Sequence, residues 1–106
     1  MPTPLGERVR ELRLKRGLTL EALAERVGSS KSYMWEIENK DVARPSAEKL
    51  QQIALALETT ADYLLATEAV TEADAADTAF FRKYQQMKPK SKERLREMLK
   101  ILDDED

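Results

Sequence analysis

Apolar residues recur at intervals of three and four along most of the chain, and no stretch alternates in the manner of a strand. The pattern predicts an all-α protein. The first helix spans residues 5–16, with Leu5, Val9 and Leu12 on one face, and Gly17 closes it. Thr19 is placed to cap a second helix that turns Leu20, Leu23, Ala24 and Val27 inward, and Gly28 ends it. Ser30 is placed to cap a third helix over residues 31–38, with Met34 and Ile37 inward. Residues 39–45 read as a connection. Ser46 caps a fourth helix that buries Leu50, Ile53, Ala54 and Leu57, and Thr60 caps a short fifth helix carrying Tyr63, Leu64 and Leu65.

Past Ala66 the character of the chain changes. Residues 67–75 are dominated by Thr, Glu, Ala and Asp and read as a linker. A sixth helix is predicted from about Asp74 to Met87, with Phe80, Phe81, Tyr84 and Met87 on one side. Pro89 breaks it, and Ser91 caps a seventh helix with Leu95, Met98, Leu99 and Leu102 inward. The acidic end, residues 103–106, reads as a solvated tail. The expected organisation is therefore a helical domain over residues 1–66, a linker over 67–75 and a helical hairpin over 76–106. The hairpin's apolar stripes exceed what a five-helix domain covers, so Phe80, Phe81, Tyr84, Leu95, Leu99 and Leu102 are expected to dimerise or to dock a partner.

Composition narrows the chemistry. The chain has 106 residues, 42% hydrophobic and 36% charged, with three Gly and four Pro, which suits one small helical protein. It has no cysteine and no histidine, which removes disulfides, thiolate sites, the commonest zinc ligand and the commonest general base. Acidic residues such as Asp74 and Asp77, or Glu36 and Glu38, sit at surface helical spacing, and there is no phosphate-cradling glycine loop. No enzyme, metal or cofactor is expected. The longest apolar run, residues 53–57, is too short for a membrane, and residues 1–4 lack signal-peptide character, so a soluble cytoplasmic protein is expected.

The informative segment is LEALAERVGSSKSYMWEIEN, residues 20–39. Two short helices joined by a tight turn must cross closely. A small residue, Ala24, permits the crossing, and Gly28 tolerates the positive φ of the turn. Leu23, Val27, Met34 and Ile37 supply a shared seam. The second of the two helices is then projected outward, at a size that fits a major groove about 12 Å wide. Charge complicates this reading. The net charge is −2, and neither residues 1–66 (ten basic, ten acidic) nor residues 67–106 (eight basic, ten acidic) are basic. Contact with phosphates would have to come from local placement of charge.

Several motifs agree in register over residues 5–65: R-x-x-x-G-L-T (Arg13, Gly17, Leu18, Thr19), L-A-E-x-x-G (Leu23 to Gly28), I-E-N (Ile37 to Asn39), R-P-S (Arg44 to Ser46) and A-L-x-x-x-x-D-Y-L-L (Ala56 to Leu65). The chain resembles the Cro/phage-repressor type (XRE) helix-turn-helix proteins. The resemblance implies a five-helix lambda-repressor-like DNA-binding domain and a regulator, most simply a repressor, that reads a palindromic operator as a homodimer. Half-sites would then lie one helical turn, ~34 Å, apart. The family's base-reading positions fall on Lys31, Ser32 and Glu36. Lys31 suits guanine O6 and N7, Ser32 donates or accepts, and Glu36 suits cytosine N4. Backbone contacts are implied for Thr19, Tyr33, Trp35, Asn39, Lys40 and Arg44. Arg13 and Glu38 match an architectural ion pair.

Two positions depart from the family. Gln usually follows the capping Thr and bonds a phosphate, and here the residue is Leu20. Gly often follows the I-E-N close, and here it is Lys40. Other readings stand beside these roles. Glu36 is spaced to pair with Lys40 along the helix. Trp35, the single tryptophan, lies off the inward seam and either packs on sugar and thymine methyl groups or rests against neighbouring helices. The chain also fits an antitoxin-like module that holds a partner protein and binds DNA secondarily, and the resemblance implies that a repressor of this build can be controlled by a cognate protein, a tail-clipping metalloprotease or a toxin.

Overall fold

The structure, a computed structural model, describes residues 3–41, 44–65 and 71–104. Among these are seven α-helices and no strand: α1 Pro4–Lys15, α2 Leu20–Val27, α3 Lys31–Asn39, α4 Ala47–Ala56, α5 Ala61–Leu65, α6 Glu72–Gln85 and α7 Pro89–Asp103. The all-α architecture read from the periodicity is the one found. Of the predicted linker over residues 67–75, residues 67–70 lie outside the described residues, and residues 72–75 are not linker but the first turn of α6.

Local chemistry sets most of the boundaries. Thr19, Ser30 and Ser46 stand in extended conformation before their helices, and each side-chain oxygen accepts from the backbone N–H three residues on, at 3.0, 3.1 and 3.1 Å. Thr60 caps α5 in the same way, its hydroxyl accepting from Tyr63 N at 3.2 Å. Gly17 and Gly28 take left-handed φ of 68° and 70°. At each, the two N–H groups beyond the helix turn back onto its last carbonyls: Leu18 onto Arg13 and Gly17 onto Leu14, then Ser29 onto Ala24 and Gly28 onto Glu25. Glu58 closes α4 by the same pair of bonds, Thr59 to Ala54 and Glu58 to Leu55, with φ at 57° although it is not glycine.

One core joins the first five helices. Val9 and Leu12 of α1, Leu23, Ala24 and Val27 of α2, Met34 and Ile37 of α3, Ile53, Ala54 and Leu57 around α4, and Tyr63 and Leu64 of α5 are all buried together. Most of the inward positions read from the spacing thus meet as one cluster, with Leu5 and Leu20 half-buried at its margin and Leu50 buried apart from it. Gly6 fixes the closest approach. A Cβ there would stand 2.4 Å from the Ile37 carbonyl oxygen and 3.0 Å from that of Glu38, so α1 lies against the backbone at the end of α3. Arg8 braces α5, with its guanidinium 4.5 Å over the Tyr63 ring and a hydrogen bond to the Tyr63 carbonyl.

The last two helices differ from expectation in three ways. Thr71, through a 3.0 Å bond from Asp74 N, starts α6 at Glu72, ahead of the Asp74 start that the apolar spacing suggests. Pro89, expected as a breaker, opens α7, where its fixed φ and missing N–H cost nothing; Lys88 occupies the capping position without a side-chain bond, and Ser91 lies inside the helix. Met98, Leu99 and Leu102, expected to face inward, are exposed, because no other described element lies over that side of α7. The first turn of α6 is seated on the main body. Ala75 joins the common core, and Glu72 receives Lys15 of α1 at 2.7 and 2.9 Å. That hydrogen bond and the Glu72 charge raise the Lys15 pKa above its ordinary value.

Glu58 gives a direct test of the backbone reading. Its left-handed φ costs a non-glycine residue roughly 1 kcal/mol, and its exposed pairing with Arg16 at 3.2 Å recovers little of that. Glu58→Gly is expected to raise unfolding free energy by about 0.5–1 kcal/mol in urea titration; unchanged or lower stability would contradict it.

Candidate nucleic-acid interface

The site is built on the crossing of α2 and α3. Ala24 is buried at that crossing, and the Gly28 turn brings the chain straight from the end of α2 to the Ser30 cap of α3. Met34, Ile37 and Glu38 are the buried residues of α3. With about 100° between successive residues, Ser32, Glu36 and Asn39 fall opposite that buried seam, and Tyr33 and Trp35 flank them on either side.

Arg13 holds this arrangement at one point. Its Nε and one terminal nitrogen donate to the two carboxylate oxygens of Glu38 at 2.7 and 3.1 Å, and its other terminal nitrogen donates to the Leu18 carbonyl at 2.9 Å. A single guanidinium thereby ties α1 to the turn before α2 and to the end of α3. The side chains are 11% and 1% exposed, so the pair is nearly dry and its fork geometry uses both Glu38 oxygens.

Outside the seam, Lys31, Ser32, Trp35 and Glu36 line one shallow hollow on the α3 surface. A neighbouring hollow, lined by Thr19, Leu20, Glu21 and Lys31 above Arg13, continues it towards α2. Lys31 is exposed and its ammonium lies 3.1 Å from Glu21. Glu21 had no signal in the sequence beyond its charge; it faces Lys31 because the tight turn folds the start of α2 beside the start of α3. Glu36 is half-buried. Lys40, spaced to meet Glu36, instead sets its ammonium 5.7 Å from the centre of the Trp35 ring. Trp35 is 45% exposed, which removes the reading in which neighbouring helices cover it. The Asn39 amide donates to the Trp35 carbonyl at 2.9 Å.

The remaining residues singled out from the sequence lie around this face or away from it. The Thr19 hydroxyl is engaged as a helix cap by Ala22 N. Tyr33 is half-buried and packs against the core. Arg44 is exposed just ahead of the buried Pro45, before α4. In the tail, Phe80, Phe81, Leu99 and Leu102 are exposed, and Tyr84 and Leu95 are half-buried. Tyr84 accepts a 2.7 Å bond from Arg96 and lies under Lys92, which links α6 to α7. An open groove of about 500 Å³ runs between α6, α7 and the main body, with Leu55, Phe80, Tyr84, Met87 and Leu95 among its walls. Among the described residues no group of acidic side chains forms a metal site, and no helix is long and apolar enough to cross a membrane.

Five helices around one core, with a tightly turned α2–α3 pair and an exposed polar face on α3, define a helix-turn-helix protein. The helix-turn-helix domain family matches residues 6–70, and the chain belongs to that family, in its Cro/phage-repressor (XRE) type. The HTH-type transcriptional regulators SinR of Bacillus subtilis (strain 168) and of Bacillus licheniformis are each 33% identical to it over 70 residues, 66% of this chain and 63% of the relative. The match thus spans a little under two thirds of those relatives' length. Among solved structures, SinR in complex with DNA superposes with a TM-score of 0.55 at 33% identity, over 57% of this chain and 97% of that one. A complex of SinR with the SinI protein matches with a TM-score of 0.56 at 26% identity, over 93% of this chain and 94% of that one.

The ion pair beneath the site is open to measurement. Glu38→Ala leaves the Arg13 guanidinium nearly buried without a counter-charge and is expected to cost about 3–5 kcal/mol in urea unfolding. Arg13→Ala added to it is expected to cost little more, because the two residues act as a unit; additive losses would contradict the pairing.

Proposed function

We propose that this protein is a sequence-specific double-stranded DNA-binding transcriptional regulator, a repressor, that reads a palindromic operator as a homodimer. One observation carries the reading. The exposed face of α3 gathers a cation, a hydroxyl, an indole and a carboxylate around one hollow, on a helix whose opposite face is locked into the core. Lys31, Ser32 and Glu36 are the base readers. Thr19, Tyr33, Asn39, Lys40 and Arg44 lie towards the sugar–phosphate chains, with Lys40 and Arg44 supplying the charge. The likeness to SinR, which has been solved in complex with DNA, supports DNA binding as the function of this face.

Lys31 begins paired with Glu21, so on operator binding it exchanges one acceptor for another. Both residues are well exposed, and such a pair is worth at most about 1 kcal/mol. A guanine edge offering two acceptors competes with it, whereas unspecific sequence offers less. Glu36 works in the same sense: a carboxylate near phosphates is unfavourable unless it meets the N4 donor of cytosine. The face therefore discriminates partly by penalty, as suits a protein without a basic surplus.

Residues 1–66 form the DNA-binding unit in this proposal, and residues 76–106 join two copies or hold a partner protein. The exposed apolar side chains of α6 and α7 support an interface there. The protein-holding reading draws on the SinR complex with SinI, whose likeness extends over the tail.

Two experiments test these assignments. Selection of bound sites from random duplexes is expected to return a palindrome with G or C at the positions facing Lys31 and Glu36. Lys31→Ala with Glu36→Ala is then expected to reduce discrimination by about tenfold or more per half-site, at 1–3 kcal/mol per lost contact, with the circular dichroism spectrum unchanged. Absence of any enriched sequence would overturn the reading. Sedimentation of the full chain against one ending at Leu65 tests the tail: the full chain is expected to dimerise and the short one to be monomeric, and equal dimerisation would place the interface elsewhere.

A further inference from the structure

Trp35 sits on the exposed side of α3 as a large apolar group with a cation beside its ring. The Asn39 amide bonds its carbonyl at 2.9 Å, and the Lys40 ammonium stands 5.7 Å from the centre of its ring. It is the one large hydrophobic residue of α3 that is exposed; Met34 and Ile37 are fully buried. It also forms a wall of the same hollow as Lys31, Ser32 and Glu36, the three polar residues that face outward at the start and middle of the helix.

The major-groove edge of a base pair presents hydrogen-bonding atoms and a single kind of apolar group, the C5 methyl of thymine. An indole among three polar side chains, already stripped of part of its water, has one complementary feature on that edge. We infer that Trp35 is a base-reading residue that selects thymine through its methyl group, at one position of each half-site beside those read by Lys31 and Glu36. The inference rests on the operator-binding reading above and assigns one further position of specificity within it. Lys40, held over the indole and next to the groove wall, keeps the ring on the base side of the phosphates.

The methyl contact separates cleanly from hydrogen bonding, because deoxyuridine keeps every donor and acceptor of thymidine and lacks only the methyl. In the operator selected from random DNA, each thymidine pair of the two half-sites is replaced in turn by deoxyuridine, and affinity for the full chain is measured. One position is expected to lose about fourfold per half-site, the worth of one buried methyl at about 0.8 kcal/mol. Trp35→Ala is expected to bind the thymidine and deoxyuridine duplexes at that position equally, while still discriminating at the base facing Lys31. A wild-type protein indifferent to every deoxyuridine substitution would overturn the inference, whatever the variant does, and would leave the indole on the sugar ring. So would a Trp35→Ala variant that keeps the thymidine preference. Failure to enrich any sequence would overturn the operator reading itself and this inference with it, an outcome distinct from both.

Discussion

The Arg13–Glu38 ion pair is the constraint on which the site depends. α3 is short, and its own apolar contribution is two fully buried side chains, Met34 and Ile37. Those contacts, with the half-buried Tyr33 beside them, fix its depth in the core but, being non-directional, restrain its rotation only loosely. The fork of Arg13 removes that freedom, because both Glu38 oxygens and the Leu18 carbonyl must be met at once by one planar group. Gly6 completes the restraint from the other side by allowing α1 to press on the last carbonyls of α3. A buried pair of this kind adds little to net stability against an apolar substitute. Its contribution is orientation: it sets which residues of α3 face outward.

The outward surface follows a different electrostatic logic from that of a strongly basic nucleic-acid binder. With charges balanced over residues 1–66, long-range attraction to a polyanion is weak. Cations on this face are partly engaged already, Lys31 with Glu21 and Lys40 with the Trp35 ring. Both pairings are weak ones at an exposed surface. Leu20, half-buried at the margin of the core, adds no polar group to this face.

Much of this was legible in the sequence. The 3.6-residue period gave all seven helices, and the caps at Thr19, Ser30, Ser46 and Thr60 and the turns at Gly17 and Gly28 need only local chemistry. Where local signals competed, the reading slipped. Pro89 read as a breaker because its ring excludes helix interiors, yet the same ring suits a first turn. Glu58 carries no mark of a left-handed residue, and its conformation shows only in the backbone bonds that close α4. The exposure of Met98, Leu99 and Leu102 had no sequence signal, because periodicity reports that a stripe exists and not whether anything lies against it. Glu21 beside Lys31, and Gly6 against the Ile37 carbonyl, are contacts between different helices, and only the fold brings them together.

The division of α3 into a locked side and an open side has an evolutionary consequence. Lys31, Ser32 and Trp35 are exposed and take no part in the core cluster, so replacing them costs the fold little. Met34, Ile37 and Glu38 are buried, and truncating any one of them costs the fold far more. A gene copy can therefore drift at a few outward codons without passing through unfolded intermediates, and lineages of such proteins can diversify this surface while their scaffold stays recognisable.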